Sequence, residues 1–178
     1  MNAAHFHITI NHFPVICVLL GILVLAIGHW RRSSEITMIA LVLFVLAAVV
    51  TIPTYYSGRN SSRVIRGVEG VARDITRTHS GAASWAFYAS LVLGLVSAWA
   101  LRQWRSAGDL TARARGLVWL VALLTVATLT RASLTGGKVR HTEARSDYVI
   151  PTEAPEEAGG PGAPGGAGPA EGMATPTP

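Results

Sequence analysis

The residues with the widest choice of chemistry in this sequence are its six histidines, and five of them lie toward the same side of the predicted helices. His12, His79 and His141 each fall at or near the end of an apolar segment. Neutral imidazole is the commonest metal ligand in proteins. Two imidazoles on different helices can bind a haem iron from both faces, and three can hold zinc or copper. His5 and His7 are two residues apart, so they would point the same way in an extended segment.

These histidines support two hypotheses about a bound cofactor. In the first, His12 and His79 are the axial ligands of a b-type haem, and His7 or His141 are the alternates. In the second, His5, His7 and His12 hold a copper or zinc ion. The alternative to both is that each histidine is an ordinary polar residue at a helix end and that no cofactor is bound.

Arg131 is the one charged residue inside an apolar segment. A charge within a membrane-spanning helix is costly and usually finds a partner inside the bundle. We expect its guanidinium either to extend to the membrane interface or to bind an anion. A haem propionate and the carboxylates of Glu69 and Asp74 are the candidate anions.

The elements that must position these residues are four apolar segments, at about 13–30, 36–54, 82–101 and 116–134. Half of the 178 residues are hydrophobic, and a membrane-spanning helix needs roughly 20 apolar residues. The sequence therefore predicts an all-α integral membrane protein whose residues 1–145 form a four-helix bundle. No Asp, Glu or Lys lies within these segments, which argues against a proton relay across the membrane.

Three further segments complete the predicted organisation. Asn11 should cap the first spanning helix, with Pro14 in its first turn. An amphipathic helix at about 61–78 should lie in the membrane interface between the second and third spans. Residues 146–178 are rich in Gly, Pro and Ala and are predicted to be disordered.

The arginines predict the orientation in the membrane. Arg31 and Arg32 follow the first span, and four more arginines lie between the third and fourth spans. By the positive-inside rule both loops are cytoplasmic, so the N- and C-termini lie on the periplasmic side of a bacterial inner membrane. Five arginines in the middle connection oppose this assignment.

Composition and missing motifs exclude several classes of function. The net charge of +5 comes from arginines that flank apolar segments, so it does not indicate a nucleic-acid partner. The single cysteine, Cys17, excludes an internal disulfide and a multi-cysteine metal site. No phosphate-binding loop, metalloprotease motif or nucleophile elbow is present. We therefore expect no independent catalytic activity.

Two functions remain. The first is a membrane subunit of a redox complex that binds haem b or a metal ion through the histidines. The second is a non-catalytic scaffold that docks other membrane or periplasmic subunits through small-residue helix faces. The clearest such face has four-residue spacing and consists of Ala86, Ser90, Gly94 and Ala98.

Two short motifs, at residues 11–15 (Asn-His-Phe-Pro-Val) and 136–141 (Gly-Gly-Lys-Val-Arg-His), resemble a family of uncharacterised bacterial membrane proteins with four predicted spans. The resemblance covers about residues 5–145 and includes His79 and Arg131. It implies the fold and the bacterial inner membrane, and it implies no established activity. Similar four-span modules occur beside redox domains, which favours an association with electron transfer by analogy only.

Overall fold

The computed structural model describes residues 2–65, 71 and 73–148. Every secondary-structure element in this part of the chain is helical. The elements are α1 (Ala3–Ile10), α2 (Phe13–Trp30), α3 (Ser34–Val64), α4 (Arg73–Ala107), α5 (Ala112–Arg140) and a 3-10 turn (Thr142–Ala144).

Four helical segments are long and apolar enough to cross a membrane. They are Ala3–Trp30, which combines α1 and α2, then Ser34–Ser62, Arg73–Ala107 and Ala112–Val139. Many of their large apolar side chains are about half exposed, including Leu19, Leu23 and Leu124. Such surfaces are unusual in contact with water but suit contact with lipid. The helices therefore suggest a multi-pass membrane protein.

The long helices form a closed bundle. Each of α2 to α5 packs against the next in the chain, and α2 also contacts α5. Since the helices alternate in direction, the beginnings of α1 and α4 share one end of the bundle, which we call the histidine end. Arg31, Arg32 and Arg115 lie at the other, which we call the arginine end. The fully buried core between the ends includes Val18, Leu25, Leu41, Phe44, Leu93 and Val118.

Small residues allow the central helices to approach closely. A side chain at Gly94 would collide with Ala48 on α3. Ala86, Ser90 and Gly94 are buried as the four-residue spacing predicts, but Ala98 is exposed and Ser97 is buried instead. The reason is that an α-helix has 3.6 residues per turn, so a strict four-residue stripe drifts away from the neighbour.

The N-terminal segment differs from the prediction. Residues Ala3–Ile10 form a helix, so His5 and His7 lie on different sides of α1 rather than on one side of an extended chain. Asn11 does not cap α2, because His12 occupies the N-cap position and forms no side-chain capping bond. Asn11 instead ends α1, and α2 begins so soon afterwards that the two helices together make the first span.

The helices extend beyond the apolar segments at the histidine end. Helix α3 continues to Val64, and α4 begins at Arg73. Outside the apolar segments the backbone amides and carbonyls still need partners, and continuing the helix supplies them. The two ends of the predicted 61–78 interfacial helix thus belong to α3 and α4. Residues 66–70, 72 and 149–178 lie outside the described part, so a separate interfacial helix and a disordered tail remain predictions.

Candidate functional site

His7 is the histidine of the first span that packs inside the bundle. Its imidazole is half-buried, and its Nδ1 lies 2.9 Å from the carbonyl oxygen of Thr54 and 3.2 Å from Oγ of Ser57, both on α3. The ring rests on Gly58, where an added Cβ would lie 2.8 Å from the imidazole Cε1. Only glycine leaves room for the ring in this position.

His79 on α4 has the same surroundings. It is half-buried, and its Nδ1 lies 3.1 Å from the carbonyl oxygen of Ala132 and 3.4 Å from Oγ1 of Thr135, both on α5. Its ring rests on Gly136, where an added Cβ would lie 2.9 Å from the imidazole Cε1. Besides the glycine, each histidine therefore contacts two groups on the neighbouring helix. One is the carbonyl of the residue four positions before the glycine, and the other is the hydroxyl of the residue directly before the glycine.

We call each arrangement an imidazole seat. The first seat consists of Thr54, Ser57 and Gly58 on α3, and the second consists of Ala132, Thr135 and Gly136 on α5. The same three features in the same order indicate that the two helical hairpins repeat one local structure at the histidine end.

The seats determine which ring nitrogen is available. A carbonyl oxygen only accepts hydrogen bonds, so Nδ1 of each histidine must carry the proton and donate it. In the neutral imidazole the lone pair is then on Nε2. Within the described residues, Nε2 of His7 and Nε2 of His79 have no hydrogen-bond partner. A backbone carbonyl that holds the Nδ1–H of a metal-ligating histidine is a common arrangement in metalloproteins.

Both imidazoles lie at the histidine end of the bundle, His7 on α1 and His79 on α4. A further polar group lies near His7. Asn11 follows His7 by four residues, so the two side chains are adjacent on one helical face. The Oδ1 atom of Asn11 is buried and has no hydrogen-bond partner among the described residues. A buried acceptor without a donor is costly, so a donor from outside the described residues would be stabilising here.

The other histidines are placed differently. His5 and His12 are exposed. His141 is also exposed, and its Nδ1 lies 2.8 Å from Oε1 of Glu143. A hydrogen bond from its own backbone amide and the bond with His141 lower the pKa of the Glu143 carboxyl below its usual value. His29 lies at the arginine end, so His7 and His79 form the only half-buried imidazole pair in residues 2–65, 71 and 73–148.

Arg131 lies on the exposed side of α5, one residue before the carbonyl that binds His79. Its guanidinium forms no ion pair with the described residues, and Glu69, one of its expected partners, is outside them. Asp74 is exposed at the start of α4. Arg131 is therefore available to an anion at the histidine end.

The described residues do not assemble a site of three or more metal-ligating side chains. No group of three His, Cys, Asp or Glu residues in the described ranges is close enough to hold a metal ion. His5, His7 and His12 in particular do not converge, because α1 separates His5 from His7 and the start of α2 leaves His12 exposed.

The imidazole seats were not recognised in the sequence, although a signal for them is present. Ser57-Gly58 and Thr135-Gly136 are hydroxyl–glycine pairs at equivalent positions on the second and fourth spanning helices. Glycine inside a helix is unfavourable, so its recurrence beside a hydroxyl residue was evidence of a close contact. The histidine that fills each seat is not evident without the helix packing.

Comparison of the chain with protein-family models, with curated proteins and with solved structures finds no match. The relationship suggested by the two short motifs therefore stays an expectation, and the function must be inferred from the geometry of the histidine end.

Proposed function

We propose that this protein is a membrane subunit associated with a redox complex and that it binds haem b through His7 and His79. The observation that supports this proposal is the pair of imidazole seats. Each seat holds Nδ1 on a carbonyl and leaves Nε2 free, and both seats lie at the histidine end. His7 and His79 would then hold the haem, in place of the pair His12 and His79 expected from the sequence.

The number of ligands favours haem over zinc or copper. A structural zinc ion takes four protein ligands, and a catalytic one usually takes three. Haem brings its own four nitrogen ligands, so its iron needs only the two axial ligands that the protein supplies. The described part of the chain offers two such imidazoles and no third metal-ligating group beside them.

In this proposal the role of the chain is to position the haem. Thr54 and Ala132 would orient the two imidazoles, and Gly58 and Gly136 would let the rings approach the helices. Arg131 would bind a propionate from the exposed side of α5. When bound, haem supplies one-electron transfer, so the protein itself needs no catalytic residue.

The proposed location is the bacterial inner membrane. The arginine end would lie in the cytoplasm and the histidine end at the periplasmic surface. Electrons would then be exchanged with a periplasmic or membrane-embedded partner near the outer face.

The test is a reduced-minus-oxidised absorption spectrum of the protein purified in a mild detergent. We expect the bands of a six-coordinate b-type haem in the wild type. His7→Ala and His79→Ala should each lose the six-coordinate spectrum and most of the bound haem, because one axial ligand is missing. His12→Ala and His141→Ala are the matched controls, and both should retain haem at the wild-type level.

Two results would contradict the proposal. One is a wild-type protein that contains no haem and takes up none when haem is added. The other is loss of haem in His12→Ala or His141→Ala with retention in His7→Ala, which would return the axial role to the exposed histidines.

The alternative function is a scaffold that docks a larger complex through small-residue faces. In the structure the best such face, on α4, is already occupied by α3 at Gly94 and Ala48. A scaffold would therefore need to use another surface. It would be favoured if the purified protein lacked haem and remained bound to other membrane subunits.

A further inference from the structure

A polar cavity lies at the arginine end, on the opposite side of the bundle from the imidazole seats. Its volume is about 380 Å³, which is within the range of small-ligand pockets. It is formed where α2 ends and where α3 and α5 begin. The lining residues are Gly28, His29, Arg32, Ser33, Thr37, Asp109 and Arg115.

Arg32 supplies the first cationic group. Within the described residues its guanidinium forms no ion pair or hydrogen bond. Its backbone has a φ of 52°, a left-handed conformation that non-glycine residues seldom adopt. Such strain concentrates at functional sites. The conformation places an unpaired cation at the cavity, although a glycine would adopt the same turn at lower cost.

Arg115 on α5 supplies the second cationic group. Its Nη2 lies 3.0 Å from Oδ1 of Asp109, but its Nε is buried and has no partner among the described residues. One acidic and two basic side chains leave the cavity with a positive charge. The donor at Nε would be satisfied by an acceptor inside the cavity.

The backbone adds to this positive potential. Helices α3 and α5 both begin at the cavity, with Ser33 and Thr111 as their N-caps. The N-terminus of a helix carries a partial positive charge and unpaired amides. The side chains and the two helix N-termini thus both contribute positive charge at the cavity.

From these features we infer that the cavity is a binding site for an anionic phosphate group, one whose charge is not balanced by a cation of the same molecule as it is in phosphatidylcholine. Planar guanidinium groups bind phosphate oxygens well, and basic pockets between membrane helices bind the headgroups of anionic lipids. The cavity opens at the ends of the spans, where lipid headgroups lie, and its volume leaves room for the glycerol part of a headgroup. This site is independent of the histidine end and of any haem there.

The test uses the thermal unfolding of the full chain in a neutral detergent. Phosphatidylglycerol, phosphatidylcholine and inorganic phosphate are each added to the wild type. We expect phosphatidylglycerol to raise the melting temperature and phosphatidylcholine to have little effect. If inorganic phosphate raises it to the same extent at equal concentration, the site is supported and soluble phosphate is its ligand.

Arg32→Gly separates binding from folding. Glycine relieves the left-handed backbone, so without lipid this variant should be at least as stable as the wild type. Its apparent affinity for the anion should fall about tenfold, since one charge-assisted contact is lost. Arg31→Ala is the matched control, because it removes the neighbouring charge, which does not line the cavity.

The inference is overturned if neither anion raises the melting temperature more than phosphatidylcholine does. It is also overturned if Arg32→Gly and Arg31→Ala weaken the response equally, because the effect would then be one of overall surface charge.

Discussion

At the residue scale, the contact between the His79 ring and Gly136 leaves no room for an additional side-chain atom. Gly136 lies against the His79 ring, whereas the next residue, Gly137, has open space around it. Both are within α5 and both are glycine, so they differ mainly in what lies beside them. Substitutions at Gly136 and Gly137 therefore distinguish the effect of filling the space beside His79 from the effect of helix propensity alone.

Gly136→Ala and Gly137→Ala should have opposite effects. In Gly137→Ala, alanine favours the helix and should stabilise the protein by about 0.5–1 kcal/mol. In Gly136→Ala, the new methyl group should displace the His79 ring and break its bond to Ala132, so haem content should fall severalfold. The checks are the melting temperature and the haem-to-protein ratio. Equal haem content in the two variants would show that the seat does not hold a ligand.

At the element scale, the position of each seat depends on how closely the helices pack. Helix α4 touches α3 at Gly94 and α5 at Ala89, whose carbonyl accepts a hydrogen bond of 3.2 Å from the Thr125 hydroxyl on α5. Because α4 carries His79 and lies between α3 and α5, a change in its packing should move His79 relative to His7.

Gly94→Val and Ala98→Val test this packing within one helix. Gly94→Val should destabilise the bundle by roughly 1–3 kcal/mol, because its side chain would overlap Ala48. Ala98→Val should change stability by less than about 0.5 kcal/mol, because Ala98 is exposed. Unfolding in increasing denaturing detergent measures both. A larger loss in Ala98→Val would show that this face of α4 binds a partner or a second copy.

The sequence predicted the coarse architecture but not the site geometry. Four long apolar segments require four spanning helices, because only helices and closed barrels satisfy the backbone in lipid, and the structure has four such helices. The structure of residues 3–10 was not predicted, since a short polar–apolar mixture fits a helix or an extended chain equally well. The half-buried position of His7 and the exposed position of His12 depend on the rotation of α1 against α3, which no local pattern specifies.

At the scale of the whole molecule, the two proposals together give the two ends of the bundle different functions. The imidazole seats are at one end and the cationic cavity is at the other, so a redox partner and an anionic ligand would be met on opposite sides of the membrane. The arginine end carries the exposed side chains of Arg31, Arg102, Arg105 and Arg113, and the histidine end carries those of Arg59, Arg73 and Arg77, so the direction is a matter for a labelling experiment.

Single reporter cysteines measure this direction. Asn2→Cys lies at the histidine end and Ser106→Cys at the arginine end, and both side chains are exposed. Cys17, the one native cysteine, is buried. In intact cells with a permeable outer membrane, a membrane-impermeant maleimide should label Asn2→Cys, and it should label Ser106→Cys only after lysis. The reverse pattern would place the histidine end in the cytoplasm.

The repetition of the imidazole seat in two hairpins has a consequence for biogenesis. The first hairpin completes the seat of His7 when α3 is inserted, but the partner ring is held only after α5 has reached the membrane. A ligand that needs both rings would therefore bind only to a chain whose last span is in place. Bound haem would then mark chains in which all four spans have been inserted into the membrane, and chains truncated before Gly136 would bind no haem.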